Sequence, residues 1–280
     1  MLRGPQWVSM AGRCAGARQG RALEGLEQWQ YLAIALLFVW GGFVRSALGF
    51  GGAVLTLPFL LMVHNAPLVF LPVIAIHLLF FSFITVLLSH RRVSREGGDG
   101  QGATVNWRFL RYALALMIIP KLIGVAGVIT LPADIVSGFI YIVVAIYAVT
   151  YILDRPFQSN SKWLDGFFLV LGGYVSGTSL IAAPLVVPVA ASRVAKCQLR
   201  DTLFVLWFVL VAVKLAAFLW SGVDLQWRQQ LWLLPCATVG HLLGLRFHAY
   251  TLRSDTRIFF RFLGLGLLSV SLVGVWRVWL

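Results

Sequence analysis

Three basic residues lie inside apolar stretches of this sequence, where a charge needs a compensating partner. Arg45 lies between two glycine-rich runs, Lys121 follows Pro120, and Lys214 is surrounded by Val, Leu and Ala. Burying such a charge in a bilayer costs at least about 2.5 to 3.5 kcal/mol unless water, backbone carbonyls or a bound anion compensates it. The three cations therefore predict anion binding within the membrane. Two alternatives stay open: Arg45 could snorkel to a nearby interface, and each lysine could hydrogen-bond to free backbone carbonyls.

The acidic residues have the opposite distribution. All ten lie in a tail, in a link or at the end of an apolar segment: Glu24, Glu27, Glu96, Asp99, Asp134, Asp154, Asp165, Asp201, Asp224 and Asp255. Carriers of cations and proton pumps usually need a carboxylate within the membrane. Cation transport is therefore the less favoured interpretation, and anion transport the favoured one.

The composition excludes a soluble protein. The 280 residues are 60% hydrophobic and only 12% charged, and the length allows about eight to ten apolar segments of membrane-spanning size. The net charge of +13 is attributed to basic links between spans, so no nucleic-acid partner is expected. No phosphate loop, nucleophile constellation or metal-ligand spacing occurs, so neither an enzyme nor a cofactor is expected. His77 and His241 are expected to hydrogen-bond between helices, with proton transfer as the alternative.

An internal repeat organises the chain. GGFVRSALGFGGAVLTLP at 41–58 aligns without gaps to GGYVSGTSLIAAPLVVPV at 172–189. The alignment predicts an all-α polytopic membrane protein with a basic, disordered tail at 1–29, a first transmembrane repeat at 30–155 and a second at 156–280. Each repeat is predicted to be a short, Gly-interrupted helical hairpin followed by three transmembrane helices. The segment 90–108 is predicted to be a surface loop.

The topology has two competing interpretations. Because three crossings follow each hairpin, the second repeat would begin on the opposite face of the membrane from the first, and the repeats would be inverted. Basic links support this arrangement with the N-terminus outside, although the basic N-terminal tail argues against it. The alternative treats each broken segment as one continuous crossing, which gives eight helices, parallel repeats and an N-terminus inside.

The two glycine-rich breaks are the predicted substrate site. Glycines let the chain break and expose N–H groups, and the segment that restarts near Gly52 directs its positive helix end at the first break. Hydroxyl groups replace the arginine at the second break. The competing interpretation is close helix packing through small residues. The predicted substrate-binding residues are Arg45, Gly49, Gly51, Gly52, Gly177, Thr178, Ser179, Lys121 and Lys214.

At these motifs the sequence resembles the TauE/SafE family of sulfite exporters, also called the toluene sulfonate uptake permease family. The resemblance covers about 31–278 and lies in GFVRSALGFGGAVLTLP, VNWRFL, GYVSGTSLIAAPLVVP, RDTLFVLWF and LPCATVGHLLGLRF. The family's glycine motifs fall on Gly49, Gly51, Gly52 and Pro58, and on Gly173, Gly177, Pro184 and Pro188. The sequence departs from the family pattern at Ala182 and Ala183, where glycines are usual, and at Lys121, where a small residue is usual.

The resemblance implies a multi-pass carrier of the cell inner membrane for sulfite, sulfoacetate or other sulfonates. Together with the cations, it predicts a gradient-driven secondary transporter of small anions that alternates access between its two repeats. The alternatives are a passive anion channel and a non-transporting membrane assembly protein. The expected partners are the lipid bilayer, a small anionic substrate and a coupling ion, either a proton or sodium. The sequence leaves the anion, the transport direction and the oligomeric state open, a homodimer included.

Overall fold

The computed structural model describes residue 23 and residues 25–48, 52–95, 105–154, 161–251 and 256–279. These residues form ten α-helices, and no strand lies among them. In chain order the helices are α1 (Gln28–Leu48), α2 (Gly52–Val63), α3 (Pro67–Arg95), α4 (Trp107–Thr130), α5 (Ala133–Ile152), α6 (Lys162–Ser179), α7 (Ala183–Arg193), α8 (Lys196–Trp220), α9 (Trp227–Thr251) and α10 (Thr256–Trp279). Most of the predicted tail at 1–29 lies outside the described residues.

Six of the described helices are long and apolar enough to cross a bilayer. Their candidate spans are Gln28–Ala47, Pro67–Ile84, Trp107–Thr130, Ala133–Ile152, Cys197–Trp220 and Arg261–Trp279. Large apolar side chains are exposed on the outer faces of these helices, such as Leu32, Leu36, Ile119, Ile123, Ile146 and Leu272. Such faces suit hydrocarbon and not water. The chain is therefore a multi-pass membrane protein.

One sequence prediction needs correction. The polar segment 90–108 does not begin as a loop, because α3 continues to Arg95 and α4 begins at Trp107. No glycine or proline interrupts residues 85–95, so the helix can extend beyond the apolar segment. Residues 96–104 of the predicted loop lie outside the described residues.

Helices α1 and α2 form a hairpin that folds back on itself. A Cβ added at Gly52 would lie 2.9 Å from Cβ of Arg45, near the end of α1. At the other end of the hairpin, Gln30 Nε2 donates to Val63 O at 3.1 Å. Helix α2 therefore returns along α1 and does not continue the same crossing.

Helices α6 and α7 form a second hairpin of the same kind. A Cβ added at Gly172 would lie 2.8 Å from Cγ2 of Val186. The far ends of the two helices are joined by Arg193, whose Nε donates to Asp165 Oδ2 at 2.7 Å. Each glycine-rich break thus separates two packed helices.

Glycines also join helices that are far apart in sequence, α1 to α9 and α4 to α6. A Cβ at Gly42 would lie 3.1 Å from the carbonyl carbon of Ala237, and one at Gly173 would lie 2.6 Å from Met117 O. Only glycine permits backbones to approach this closely. We call these two contacts, Gly42 against Ala237 and Gly173 against Met117, the glycine seams. They hold the ends of α1 and α6 in place. Helices α3 and α8 pack together between the hairpins.

Candidate functional site

The first break places Arg45 in the last turn of α1, beside the start of α2. Arg45 Nη1 donates to His77 O of α3 at 3.1 Å, and its guanidinium carbon lies 4.2 Å from the centre of the Phe81 ring. Its other terminal nitrogen, Nη2, is buried and has no hydrogen-bond partner among the described residues. The guanidinium is therefore fixed in direction and still has donors to offer.

A cavity of about 340 Å³ opens beside this guanidinium. Thr56, only 3% exposed, lines the same cavity, and its Oγ1 is also buried without a hydrogen-bond partner in the described part of the chain. Thr56 lies one helical turn after Gly52, so both residues share one face of α2. Unsatisfied buried donors are costly, and a bound anion would satisfy both of them.

Three glycines and a helix start complete the walls of this first cavity. Gly41, Gly42 and Gly52 line it, and a Cβ at any of the three would lie within 3 Å of a neighbouring atom. The first N–H groups of a helix have no acceptor within the helix and carry a partial positive charge. The start of α2 at Gly52 therefore adds to the positive potential that Arg45 provides.

Histidines lie next to the first cavity on two sides. His77 of α3 lines it, and its Nε2 has no hydrogen bond of good geometry among the described residues, although Gln230 interacts with its ring. His241 of α9 hydrogen-bonds through Nδ1 to Ser46 Oγ of α1. The predicted interhelical hydrogen bond is therefore present for His241.

A second and larger cavity, of about 640 Å³, connects the two breaks. Arg45, Gly52, Ala53 and Leu78 line both cavities. The second break contributes Ser176, Leu180 and Ala183 to the larger cavity, and α8 contributes aromatic side chains. The residues that line it are Arg45, Gly52, Ala53, Val54, Leu78, Ser82, Ser176, Leu180, Ala183, Phe204, Trp207 and Val211.

The second break is closed by the two lysines. Lys121 Nζ donates to Ser176 Oγ at 2.6 Å and to Ser176 O at 3.2 Å. Lys214 Nζ donates to Gly177 O at 2.6 Å and to Thr178 O at 3.3 Å. Both lysines are 0% exposed. The last carbonyls of a helix lack an intrahelical donor. Here Ser176 O accepts from Leu180 N at 3.2 Å as well as from Lys121, and Lys214 of α8 supplies the donor for Gly177 O and Thr178 O.

The hydroxyls predicted for the second break are directed into their own helix. Thr178 Oγ1 donates to Val175 O at 3.0 Å, and Ser179 Oγ donates to the same oxygen at 2.9 Å. The chain then turns at Leu180, whose φ of 63° is left-handed. Neither hydroxyl lines either of the two cavities.

The predicted site residues thus fall into two groups. Arg45 and Gly52 lie together on the walls of both cavities. The remaining described ones lie at the second break and line neither of the two cavities: Lys121, Gly177, Thr178, Ser179 and Lys214. Gly49 and Gly51 lie outside the described residues.

Sequence reasoning missed three polar residues of the cavities, Thr56, Ser82 and Ser176. Ser176 occupies the position of Arg45 in the ungapped alignment of the two glycine-rich stretches, so the repeat could have indicated it. Thr56 lies one helical turn after Gly52, and that spacing could have indicated it.

The comparisons with known proteins give one match. The family model described as "Sulfite exporter TauE/SafE" matches residues 34–274, which is most of the chain. A search of the curated proteins and a search of the solved structures return no match.

Proposed function

This chain belongs to the TauE/SafE sulfite exporter family, and we propose that it is a secondary transporter of small anions driven by an ion gradient. Sulfite, sulfoacetate and related sulfonates are the proposed substrates. The cell inner membrane is the proposed location. The anion would bind in the first cavity against Arg45, Thr56 and the start of α2.

This proposal rests mainly on the Arg45 guanidinium, because one of its nitrogens has no hydrogen-bond partner among the described residues. Arg45 Nη2 and Thr56 Oγ1 are both buried, both without a hydrogen-bond partner among the described residues, and both on one cavity. A charged donor and a neutral donor at a helix start suit an anion with several oxygens, because hydrogen bonds to an ionised acceptor are the stronger ones. No carboxylate is among the residues that line the two cavities, which disfavours a cation in the same place.

We include in the proposal the inverted arrangement of two repeats, 30–155 and 156–280. The exchange of partners between the halves supports two equivalent repeats: α1, the first helix of one half, pairs with α9, and α6, the first helix of the other half, pairs with α4. The proposed inversion follows from the three crossings proposed after each hairpin. Helices α4 and α9 are each the fourth of their half, as a pseudo-two-fold axis requires. The carrier would then alternate access around the cavities between the hairpins.

The glycine seams limit how such a carrier can move. Because they join α1 to α9 and α4 to α6 at backbone contact distance, neither repeat can move as a separate rigid body. The proposed moving units are these mixed helix pairs, displaced relative to each other across α3 and α8. As these mixed helix pairs move, the cavities would open to one side of the membrane and then to the other.

The test is sulfite uptake into proteoliposomes by wild type and Arg45→Ala under an imposed pH gradient. We expect saturable uptake by the wild type and uptake at background level by the variant. Arg277→Ala is the matched control, because Arg277 also donates to a backbone carbonyl, Met62 O at 3.0 Å, but lines neither cavity.

Two results would contradict the proposal. If folded Arg45→Ala takes up sulfite as fast as wild type, Arg45 is not part of the anion site. Uptake that does not saturate in the wild type would indicate a passive channel instead of a carrier.

A further inference from the structure

We infer that the larger cavity is a second subsite, which holds the carbon tail of an organic anion while Arg45 holds its charged head. The residues assigned to the tail are Phe204, Trp207 and Val211 of α8. This inference rests on the proposed transport function and adds what the site selects. Anions with an apolar or aromatic tail would bind more tightly than inorganic sulfite.

The two cavities are adjacent at the proposed anion site. Arg45, Gly52, Ala53 and Leu78 line both of them. An anion that binds Arg45 in the first cavity therefore lies beside the larger one. A carbon chain attached to its head group has a space of about 640 Å³ to enter.

The walls of the larger cavity suit carbon better than a second charge. Apart from Arg45, Ser82 and Ser176, each residue that lines it is a glycine or has an apolar or aromatic side chain. Ser176 Oγ already accepts from Lys121 Nζ at 2.6 Å. Ligand pockets are typically of this kind, mostly apolar with a few polar groups that orient the ligand. Arg45 is the group that would fix the charged head.

One face of α8 supplies the aromatic part of these walls. Phe204, Trp207 and Val211 follow one another at intervals of three and four residues, so they lie on the same side of the helix. All three line the larger cavity, and none of them lines the first. Aromatic side chains offer a large apolar area and pack well against other aromatic rings. This face would contact a tail, whereas a sulfite ion has no carbon to place there.

The expected effect follows from the apolar area that a tail buries. Each methylene group removed from water raises affinity about 4-fold. We therefore expect affinity to rise in the order methanesulfonate, propanesulfonate and pentanesulfonate. Benzenesulfonate should also bind more tightly than methanesulfonate.

The first test measures binding as the rise in the unfolding midpoint of detergent-solubilised wild type with increasing concentrations of each sulfonate. Hexanoate and benzoate, compared with acetate, show whether carboxylates use the subsite as well as sulfonates. Affinity that rises with the tail in either series supports the subsite. Equal affinity for methanesulfonate, pentanesulfonate and benzenesulfonate overturns it.

Arg45→Ala detects tails that bind elsewhere, such as in the detergent or on the lipid-facing surface. We expect this variant to lose the response to all the sulfonates, because the head group no longer has its charged partner. A response that still rises with tail length in Arg45→Ala contradicts the inference, since the tail then binds independently of the head.

Trp207→Ala tests the face of α8. We expect the ratio of benzenesulfonate affinity to methanesulfonate affinity to fall by about 2-fold to 10-fold, the value of one aromatic pair. Phe208→Ala is the matched control, because Phe208 is an exposed aromatic residue of the same helix and lines neither cavity. Its ratio should equal that of wild type.

A second variant covers the case in which Trp207→Ala does not fold. Phe204→Leu keeps an apolar side chain and removes an aromatic ring from the same wall, so the ratio should again fall. An unchanged ratio in the folded variant overturns the assignment of the α8 face. If neither variant folds, the wild-type series and Arg45→Ala still decide whether the subsite exists.

The second test uses the same sulfonates as competitors of sulfite uptake into proteoliposomes. We expect pentanesulfonate to inhibit uptake at a lower concentration than methanesulfonate does. Inhibition that does not depend on the tail overturns the inference and leaves sulfite transport intact. Absence of any sulfite uptake by wild type would instead contradict the proposed function, and the unfolding measurement would still report on the tail subsite.

Discussion

The two breaks hold buried cations in opposite states. At the first break, Arg45 has one nitrogen bonded to His77 O and another without a partner among the described residues. At the second break, Lys121 and Lys214 each have two oxygen acceptors within 3.3 Å. A buried charge without partners is costly, and one surrounded by hydrogen-bond acceptors is much less so.

This difference indicates that the two breaks have different roles, one structural and one proposed for binding. The second break is complete within the chain, because its helix end and its cations satisfy each other. At the first break, Arg45 Nη2 and Thr56 Oγ1 have no hydrogen-bond partner among the described residues, and under the proposed function a mobile anion provides the acceptor. Similar glycine-rich sequences thus give one break whose cations are fully hydrogen-bonded and one break that is the proposed binding site.

The largest effect is expected when the packing of α4 against α6 at the second break is disturbed. A Cβ at Gly177 would lie 3.0 Å from both the Lys121 carbonyl carbon and Gly124 Cα. Both are backbone atoms, so Gly177→Ala must separate α4 from α6. We expect a loss of about 1 to 3 kcal/mol of stability from overpacking, measured as a fall in the unfolding midpoint and in the yield of monodisperse protein.

Gly266→Ala is the control for this substitution. Nothing lies within 4 Å of a Cβ at Gly266 in α10, and alanine is the better helix former by about 1 kcal/mol. We expect a stability equal to wild type or slightly higher. Equal stability of the two alanine variants would show that the seam does not hold the second break.

A smaller and more selective effect is expected from the two threonines. Thr56→Val removes a hydroxyl that has no partner among the described residues, so the anion-free protein should be no less stable than wild type. Affinity for sulfite should fall by about 10-fold or more, because one hydrogen bond to a charged acceptor contributes about 1.5 kcal/mol or more. The measurement is the concentration dependence of uptake.

Thr178→Val should give the reverse pattern at the second break. Its hydroxyl donates to Val175 O at 3.0 Å and lines neither cavity. Stability should fall by about 1 kcal/mol, and sulfite affinity should not change. If instead Thr56→Val lowers stability and Thr178→Val lowers sulfite affinity, the roles assigned to the two breaks are reversed.

The sequence was sufficient to find both breaks and to place Arg45 at the first of them. The repeated glycine pattern lies close to both breaks, although most of its glycines, such as Gly42 and Gly173, lie inside α1 and α6 and serve close packing against other helices. The helices α1, α2, α6 and α7 follow from it within a few residues.

The partners of the cations could not be predicted from the sequence. Lys121 contacts Ser176, 55 residues away, and Lys214 contacts Gly177, 37 residues away. Packing between helices decides which faces of α4 and α6 are in contact. An apolar helix without a polar face gives no sequence signal of its orientation. The sequence left both an anion and backbone carbonyls open as partners, and the carbonyls are those observed.

The most direct test of the account compares sulfite-induced stabilisation of wild type, Arg45→Ala and Lys214→Ala in sodium-free buffer. Thermal unfolding is measured with and without sulfite, and Arg277→Ala serves as the control for loss of an arginine. If the anion binds at the first break, sulfite raises the midpoint of wild type, Lys214→Ala and Arg277→Ala, and leaves that of Arg45→Ala unchanged. A normal response of Arg45→Ala together with a lost response of Lys214→Ala would contradict it and would locate the anion at the second break.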